Sequence, residues 1–232
     1  MKRVAILQSN YLPWKGYFAI IAAVDEFIVF DAAQYTKNDW RNRNQIKSAN
    51  GKIWLTVPVR QGGRSTAIDE VEVSDSRCFR KHWDSIRQAY ARAPEFPHCA
   101  RFMEAAFKEA AELPKLSEVN LHFLRASMNA LGLETHLSNG RDYVLHDGRV
   151  ERLVSLCKQA GATHYLTGPA ARHYLDEDKF LDAGITVEWA DYGCFREYVQ
   201  PHPPFDHQVS IIDLLACEGP RAAGHLGNLA TC

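Results

Sequence analysis

Val4-Ala5-Ile6-Leu7-Gln8-Ser9-Asn10-Tyr11-Leu12-Pro13-Trp14-Lys15-Gly16-Tyr17 is the stretch on which the reading of the fold turns. An unbroken apolar run, Val4 to Leu7, marks a strand covered on both faces, because a strand with one wet face would alternate. The run stops at polar Gln8-Ser9-Asn10. Pro13 then fixes a backbone angle and Gly16 permits close approach, so a rigid turn leads into an apolar segment, Tyr17 to Val24, that reads as a helix. Phe27-Ile28-Val29-Phe30 is a second buried strand, ending at Asp31. Strand, loop, helix, strand is the opening unit of a doubly wound parallel sheet, in which ligands sit beyond the carboxyl ends of the strands.

Outward from this unit the pattern changes and then returns. Two short runs between Gln45 and Pro58 flank Ser48-Ala49-Asn50-Gly51, whose Asn-Gly pair signals a hairpin. Gly62-Gly63-Arg64-Ser65 reads as a mobile loop, and Ile68 to Val73 alternates like a strand with one wet face. Helices are predicted at about Arg77 to Ala91, His98 to Glu112 and Leu116 to Leu131, the last two separated by Pro114. Alternation of strand and helix then resumes: Thr135–Ser138, Gly148–Ala160, His164–Thr167, Asp176–Ala183 and Ile185–Ala190. After an aromatic and proline-rich stretch to Phe205, Ser210 opens a last helix with Asp213 as its capping partner. The expectation is one α/β domain over residues 1–232: a doubly wound, mostly parallel sheet with an antiparallel hairpin and a helical insertion at about 77–132.

Composition narrows the function classes. The 232 residues carry a formal net charge of -1, which disfavours a protein that holds nucleic acid by bulk electrostatics, although a local basic stripe for tRNA is not excluded. No apolar stretch approaches the ~20 residues needed to span a bilayer, and Met1-Lys2-Arg3 leads into a strand-like run, so no membrane insertion and a cytoplasmic location are expected. The cysteines Cys78, Cys99, Cys157, Cys194, Cys217 and Cys232 show no paired spacing, so neither a zinc knuckle nor a disulfide framework is suggested, and most read as small buried hydrophobes.

Three segments have the residue types that chemistry needs. The first turn sets Gln8, Tyr11, Trp14, Lys15 and Tyr17 where a strand's carboxyl end meets a helix N-terminus. Free N–H groups there suit an anion, and the aromatics suit a base or sugar face; the plainer reading makes the aromatics wedges between helix and sheet. The second segment is Asp31, Gln34-Tyr35-Thr36-Lys37 and Trp40-Arg41-Asn42-Arg43-Asn44, in which Arg41 and Arg43 can clamp an anion and Asp31 can act as base or hydroxyl acceptor. A solvated loop tip is its plainer reading. The third is Tyr165-Leu166-Thr167-Gly168-Pro169-Ala170-Ala171-Arg172, a strand running into a small-residue loop that lacks the Gly-Lys-Ser/Thr ending of a P-loop. A tight strand-to-helix connection with Pro169 in the first helical turn is the alternative.

Other chemistries are less well supported. His202, Asp206 and His207 have a spacing that a metal would tolerate, but no other ligand cluster supports them, and no metal is expected. His82, His98, His122 and His225 read as surface or capping groups. There is no Gly-x-Ser-x-Gly elbow, and no cysteine sits in an activating turn.

These residues, taken in order, resemble the WbqC-like family over nearly the whole chain. The likeness rests on Val4-Ala5-Ile6-Leu7-Gln8 with Tyr11, Pro13 and Gly16-Tyr17-Phe18, then Asp31, Lys37, Trp40, Asn42-Arg43 and Trp54-Leu55-Thr56-Val57-Pro58. It continues in Tyr165-Leu166-Thr167-Gly168, Arg172, Tyr174-Leu175, Tyr198, Gln200, Phe205 and Ser210-Ile211-Ile212-Asp213-Leu214-Leu215. Where the family has Gln-Pro after the first strand, this chain has Gln8-Ser9. The resemblance implies a HUP- or Rossmann-like fold and a place in bacterial surface-polysaccharide, O-antigen or lipopolysaccharide assembly. The implied activity is a transferase that modifies a nucleotide-activated amino sugar by acyl or aminoacyl transfer, with a nucleotide or nucleotide sugar as the bound small molecule. Asp31, Lys37 and Arg43 become the catalytic candidates. Gln8, Tyr11, Trp14, Gly16, Tyr17, Trp40, Asn42, Thr167, Gly168, Arg172 and Gln200 become the substrate-binding ones. Two alternatives stay open: an ATP-dependent adenylating enzyme related to nucleotidyltransferases, whose paired catalytic histidines are absent here, and a non-catalytic binding protein of a glycan-assembly complex.

Overall fold

The computed structural model describes residues 1–60, 62–63, 65–227 and 229. Arg64 of the glycine-rich loop and Cys232 therefore lie outside the described residues. In chain order the elements are β1 (Arg3–Leu7), α1 (Lys15–Ala22), β2 (Glu26–Val29), β3 (Arg43–Ser48), β4 (Gly51–Thr56), β5 (Val59–Arg60), β6 (Glu72–Val73), α2 (Arg77–Tyr90), α3 (Phe96–Ala110) and α4 (Leu116–Leu131). There follow β7 (His136–Asn139), α5 (Arg149–Gln159), β8 (His164–Thr167), α6 (Glu177–Asp182), β9 (Thr186–Trp189) and α7 (Ile211–Glu218), with 3-10 turns between them.

Strands β7, β2, β1, β8 and β9 lie side by side in that order, and every pairing is parallel. The chain winds outward from β1 through β2 to β7, then returns to β8 on the other side of β1 and continues to β9. The fold is thus α/β and doubly wound, and its topological switch point lies between β1 and β8. Both faces are covered because side chains alternate along each strand. Ala5, Phe27, Val29 and Leu166 face a large core with α1, α2, α3, α4 and α7. Val4, Ile6, Ile28, Phe30 and Tyr165 face a smaller one with α5 and α6, in which Tyr165 stacks on Phe180 at 5.1 Å.

The hairpin is present as β3 and β4, paired antiparallel from Arg43↔Thr56 to Ser48↔Gly51. Its two-residue turn is Ala49-Asn50, and Gly51, with φ of 100°, closes it from the strand side. The insertion is three helices, with α4 bounded as the sequence suggests and ended by Gly132 in the left-handed conformation. Ile68 to Val73 is not a continuous strand. Ile68–Glu70 forms a 3-10 turn, because Ile68 N–H donates to Ala33 O and Asp69 N–H to Asp31 O, and only Glu72–Val73 pairs, with β5.

Ser210 caps α7 as expected, its Oγ accepting from Ile212 N–H. Asp213 does not join that cap. Its carboxylate turns inward and accepts from Tyr198 Oη at 2.7 Å, Gln200 Nε2 at 2.8 Å and Tyr90 Oη at 2.9 Å. Cys78, Cys99, Cys157 and Cys217 are buried free thiols.

Candidate functional site

The site is built on the loop that leaves β1. Leu12 takes φ of 44°, which a residue with a side chain rarely adopts. The strain is held by hydrogen bonds from outside the loop. Asn44, on β3, donates through Nδ2 to Leu12 O at 2.8 Å and Tyr11 O at 3.2 Å. Tyr11 N–H donates to Trp40 O at 2.9 Å, and Ile211 N–H to Pro13 O at 2.8 Å. Tyr11 is wholly buried, and its hydroxyl pairs with His82 Nδ1 at 2.9 Å. His82 is therefore an interior group and not the surface or capping histidine its sequence position suggests. Its burial pushes its pKa down to about 4, so at neutral pH it is an uncharged partner.

At the switch point β1 and β8 pair only at Arg3↔His164 and Val4↔Tyr165, whereas β1 stays paired with β2 as far as Leu7↔Val29. Aromatics bridge the chain segments that follow these two strands. Trp14 lies edge-on to Tyr192 at 5.0 Å and to Phe195 at 5.8 Å, and its indole covers Gly16 so closely that a Cβ there would overlap the ring. The Tyr192 hydroxyl in turn sits against Gly168, where a Cβ would meet it at 3.3 Å. Gly16 is thus required by the packing of a ring, while at Gly168 the contact is merely tight.

Beyond the wedge is an open pocket of about 270 Å³ lined by Asn10, Pro13, Trp14, Trp40, Asn44 and Gln208. Its two indoles come from different segments, one before α1 and one before β3. Asp31 is tied to the same loop without lining this pocket: its Oδ1 accepts Ser9 N–H at 2.8 Å, and Asn120 Nδ2 braces Ser9 Oγ at 2.9 Å. Asp31 is only 4% exposed. Burial pushes its carboxyl up to about 6, and the neighbouring Asp69 charge adds to the rise, against the Ser9 hydrogen bonds and the Arg41 charge. It also borders a second hollow, of about 370 Å³, with Asp69, Ser138 and Asn139.

The remaining predicted residues take varied positions. Tyr17 is buried, its hydroxyl donating to Gln8 O at 3.0 Å, and Gln8 is half-buried beside it. Asn42 is buried and donates to Val57 O at 3.0 Å, and Thr167 is buried at the end of β8. Arg43 and Arg172 do not meet: their guanidinium groups lie over Trp54 at 4.2 Å and Trp189 at 4.5 Å. Lys37 is exposed and has no hydrogen bond or ion pair among the described residues. Gln200 accepts from Lys47 Nζ at 2.8 Å and donates to Asp213, which places it in the interior network of α7. Tyr11, Tyr17, Asn42 and Thr167, expected to face substrate, are thus enclosed.

Lys15 has a more unusual environment than its place in the sequence suggests. It is 2% exposed at the first turn of α1, and its ammonium lies 5.0, 5.1 and 5.6 Å from the ring centroids of Phe195, Tyr198 and Phe205. Its hydrogen-bond acceptor is Arg196 O at 3.2 Å. Burial pushes its pKa down to about 8, against the pull of Asp213 and Glu197. The sequence signal was a single cation in an otherwise apolar helix; the cage comes from a segment some 180 residues away, which no local pattern reveals.

The architecture defines a doubly wound α/β protein with an open pocket at the carboxyl edge of its central strand, where such folds place their ligands. The family model of the WbqC-like protein family matches residues 8–225, and the chain belongs to that family. It is 45% identical over 227 residues to the uncharacterized protein Rv1507c of Mycobacterium tuberculosis (strain ATCC 25618 / H37Rv), an alignment covering 97% of this chain and 98% of that protein. Among the described residues no helix is long and apolar enough to cross a membrane.

Proposed function

We propose that the chain is a transferase of bacterial surface-polysaccharide assembly, which binds a nucleotide-activated amino sugar and moves an acyl or aminoacyl group onto it. One observation carries the reading: an open pocket with two indole walls at the carboxyl end of the central strand, formed by the same loop whose Ser9 N–H holds the buried Asp31 carboxylate. Indole walls suit the flat faces of a base and a sugar ring. Asp31, poised near pH 6, is ionised at neutral pH yet basic enough to accept a proton. In the reaction the sugar amine attacks the carbonyl carbon of an activated acyl donor, the proton the nitrogen sheds is relayed through water to Asp31, and the donor's leaving group departs with the bonding pair.

The test is thermal-shift screening against nucleotides and nucleotide sugars at millimolar concentration, followed by mass spectrometry of the sugar after incubation with acyl donors. Stabilisation by a nucleotide sugar and a mass gain equal to the acyl group are expected. Stabilisation by ATP with magnesium, with release of pyrophosphate, would replace this reading by adenylation. No stabilisation by any nucleotide sugar would refute it.

A further inference from the structure

Trp40 and Trp54 stand out from the surface. Each is 44% exposed, and their ring centroids lie 5.6 Å apart with 37° between the planes. Trp54 is in the middle of β4 opposite Gln45, and the Arg43 guanidinium is laid over its ring at 4.2 Å. Arg43 Nε is sealed and unpartnered, and Arg43 forms no hydrogen bond or ion pair among the described residues. The contrast with Arg41 is informative, since that residue is paired with Asp39 at 3.2 Å. The other oxygen of Asp39 is also occupied, by Trp40 N–H at 2.7 Å. A guanidinium stacked on an indole has its face satisfied while its terminal N–H groups keep their planar fork unpaired, the chemistry that receives a phosphate or carboxylate. Trp40 belongs to both places: it forms one end of this shelf and one wall of the pocket with Trp14.

We propose that Trp54 and Arg43 form a second subsite, continuous with the Trp14–Trp40 pocket, that takes the sugar-phosphate part of a nucleotide-activated sugar. The Trp40–Trp54 shelf carries a face of the sugar ring, and the free edge of Arg43 holds the phosphate that links it to the nucleoside. The charge complementarity comes from the unpaired guanidinium, and the orientation from the shared Trp40, which sets the nucleoside on the pocket side. This assignment rests on the transferase reading above.

Titration calorimetry with UDP-N-acetylglucosamine and dTDP-glucose, each beside its free nucleoside diphosphate, tests it. Trp54→Ala is expected to weaken the nucleotide sugars about 10-fold and the diphosphates by a smaller factor, because the sugar loses its ring contact while the phosphate keeps the charge of an Arg43 that is merely less well held. Trp54→Phe should keep most of the affinity. Arg43→Gln should weaken sugars and diphosphates alike by about 10-fold or more, with Arg43→Lys restoring only part, since lysine lacks the fork. Trp54 is exposed enough that its truncation leaves no cavity, and circular dichroism of each variant checks the fold. If the wild type binds a nucleotide sugar and Trp54→Ala and Arg43→Gln bind it equally well, the shelf is not a subsite, while the transferase reading stands. If the wild type binds none of the four probes, both fall. Should Trp54→Ala change only the sedimentation of the protein, the face joins two copies of the chain and the subsite assignment is overturned.

Discussion

Replacing Asp31 by asparagine should make the protein more stable at neutral pH while disabling it. Burial raises the carboxyl from 3.8 to about 6, a rise of about 2 units, and at about 1.4 kcal/mol per unit this amounts to about 3 kcal/mol. The sign follows from which state holds the proton. Because the folded state binds it more readily, the unfolded state is the better home for the charged form, and stability falls as pH rises through the window from 3.8 to about 6. Below that window Asp31 is neutral in both states and the penalty vanishes; above it the penalty is complete. Asparagine keeps an acceptor for Ser9 N–H and stays uncharged throughout. Urea unfolding of both proteins at steps from about pH 3.5 to 7.5 therefore should give a stability difference near zero at the acid end, growing to an upper bound of about 3 kcal/mol at the neutral end. A difference that does not change with pH, or an asparagine variant less stable at neutral pH, would show that Asp31 is not the strained carboxylate described above. The same variant should lose about 10²- to 10⁴-fold in transfer rate, and wild-type activity should rise with pH through about 6 as Asp31 ionises.

Three further substitutions probe the supports of the site. Gly16→Ala puts a methyl group into the space of the Trp14 indole; a loss of about 1–3 kcal/mol in urea unfolding and a red-shifted tryptophan emission are expected as the ring leaves its packed position. Asp213→Ala leaves Tyr90, Tyr198 and Gln200 without the acceptor they share, and should lower unfolding free energy by about 3 kcal/mol or more, given the cost of stranded buried donors. Lys15→Met reports the cage through pH. With the folded-state pKa lowered from 10.5 to about 8, the folded state sheds its proton first, so wild-type stability should climb relative to the variant as pH rises from about 8 to 10.5, and parallel melting curves in that range would contradict the cage.

Much of the fold was legible because its strands are of one kind. Val4–Leu7 and Phe27–Phe30 are uninterrupted apolar runs, which buried parallel strands require and few other elements mimic. Helix α4 was legible for a similar reason, with periodic apolar residues and a glycine stop. Ile68–Val73 misled because its alternation was real but its backbone was captured by Ala33 and Asp31, a tertiary event invisible in the run itself. His82 misled in the same way: its helix is amphipathic, yet the partner that draws the ring inward, Tyr11, is far away in sequence. At the candidate site, residue types do not assign roles. Aromatic and amide side chains serve equally as contacts or as supports, and only the geometry shows that Asn44, Tyr11 and Tyr17 hold the loop while Trp14 and Trp40 face the opening.

The position of Trp14 also changes where an anion should sit. From the sequence, the N-terminus of α1 is the natural phosphate seat, with N–H groups presented at the end of β1. In the fold Lys15, Gly16 and Tyr17 are all buried, and Tyr17 N–H is already bonded to Trp14 O. Trp14, packed edge-on against Tyr192 and Phe195, covers Gly16 in the first turn of that helix. A ligand approaching the carboxyl edge therefore meets the Trp14 indole before it meets the helix, and its charge needs another partner. Arg43 is that partner on physical grounds, since it is fixed on Trp54 and lies next to the second wall of the pocket. It follows that a diphosphate would run outward along the hairpin, away from the helix end, so a phosphate-free nucleoside should retain its contact with Trp14 and lose only what Arg43 contributes.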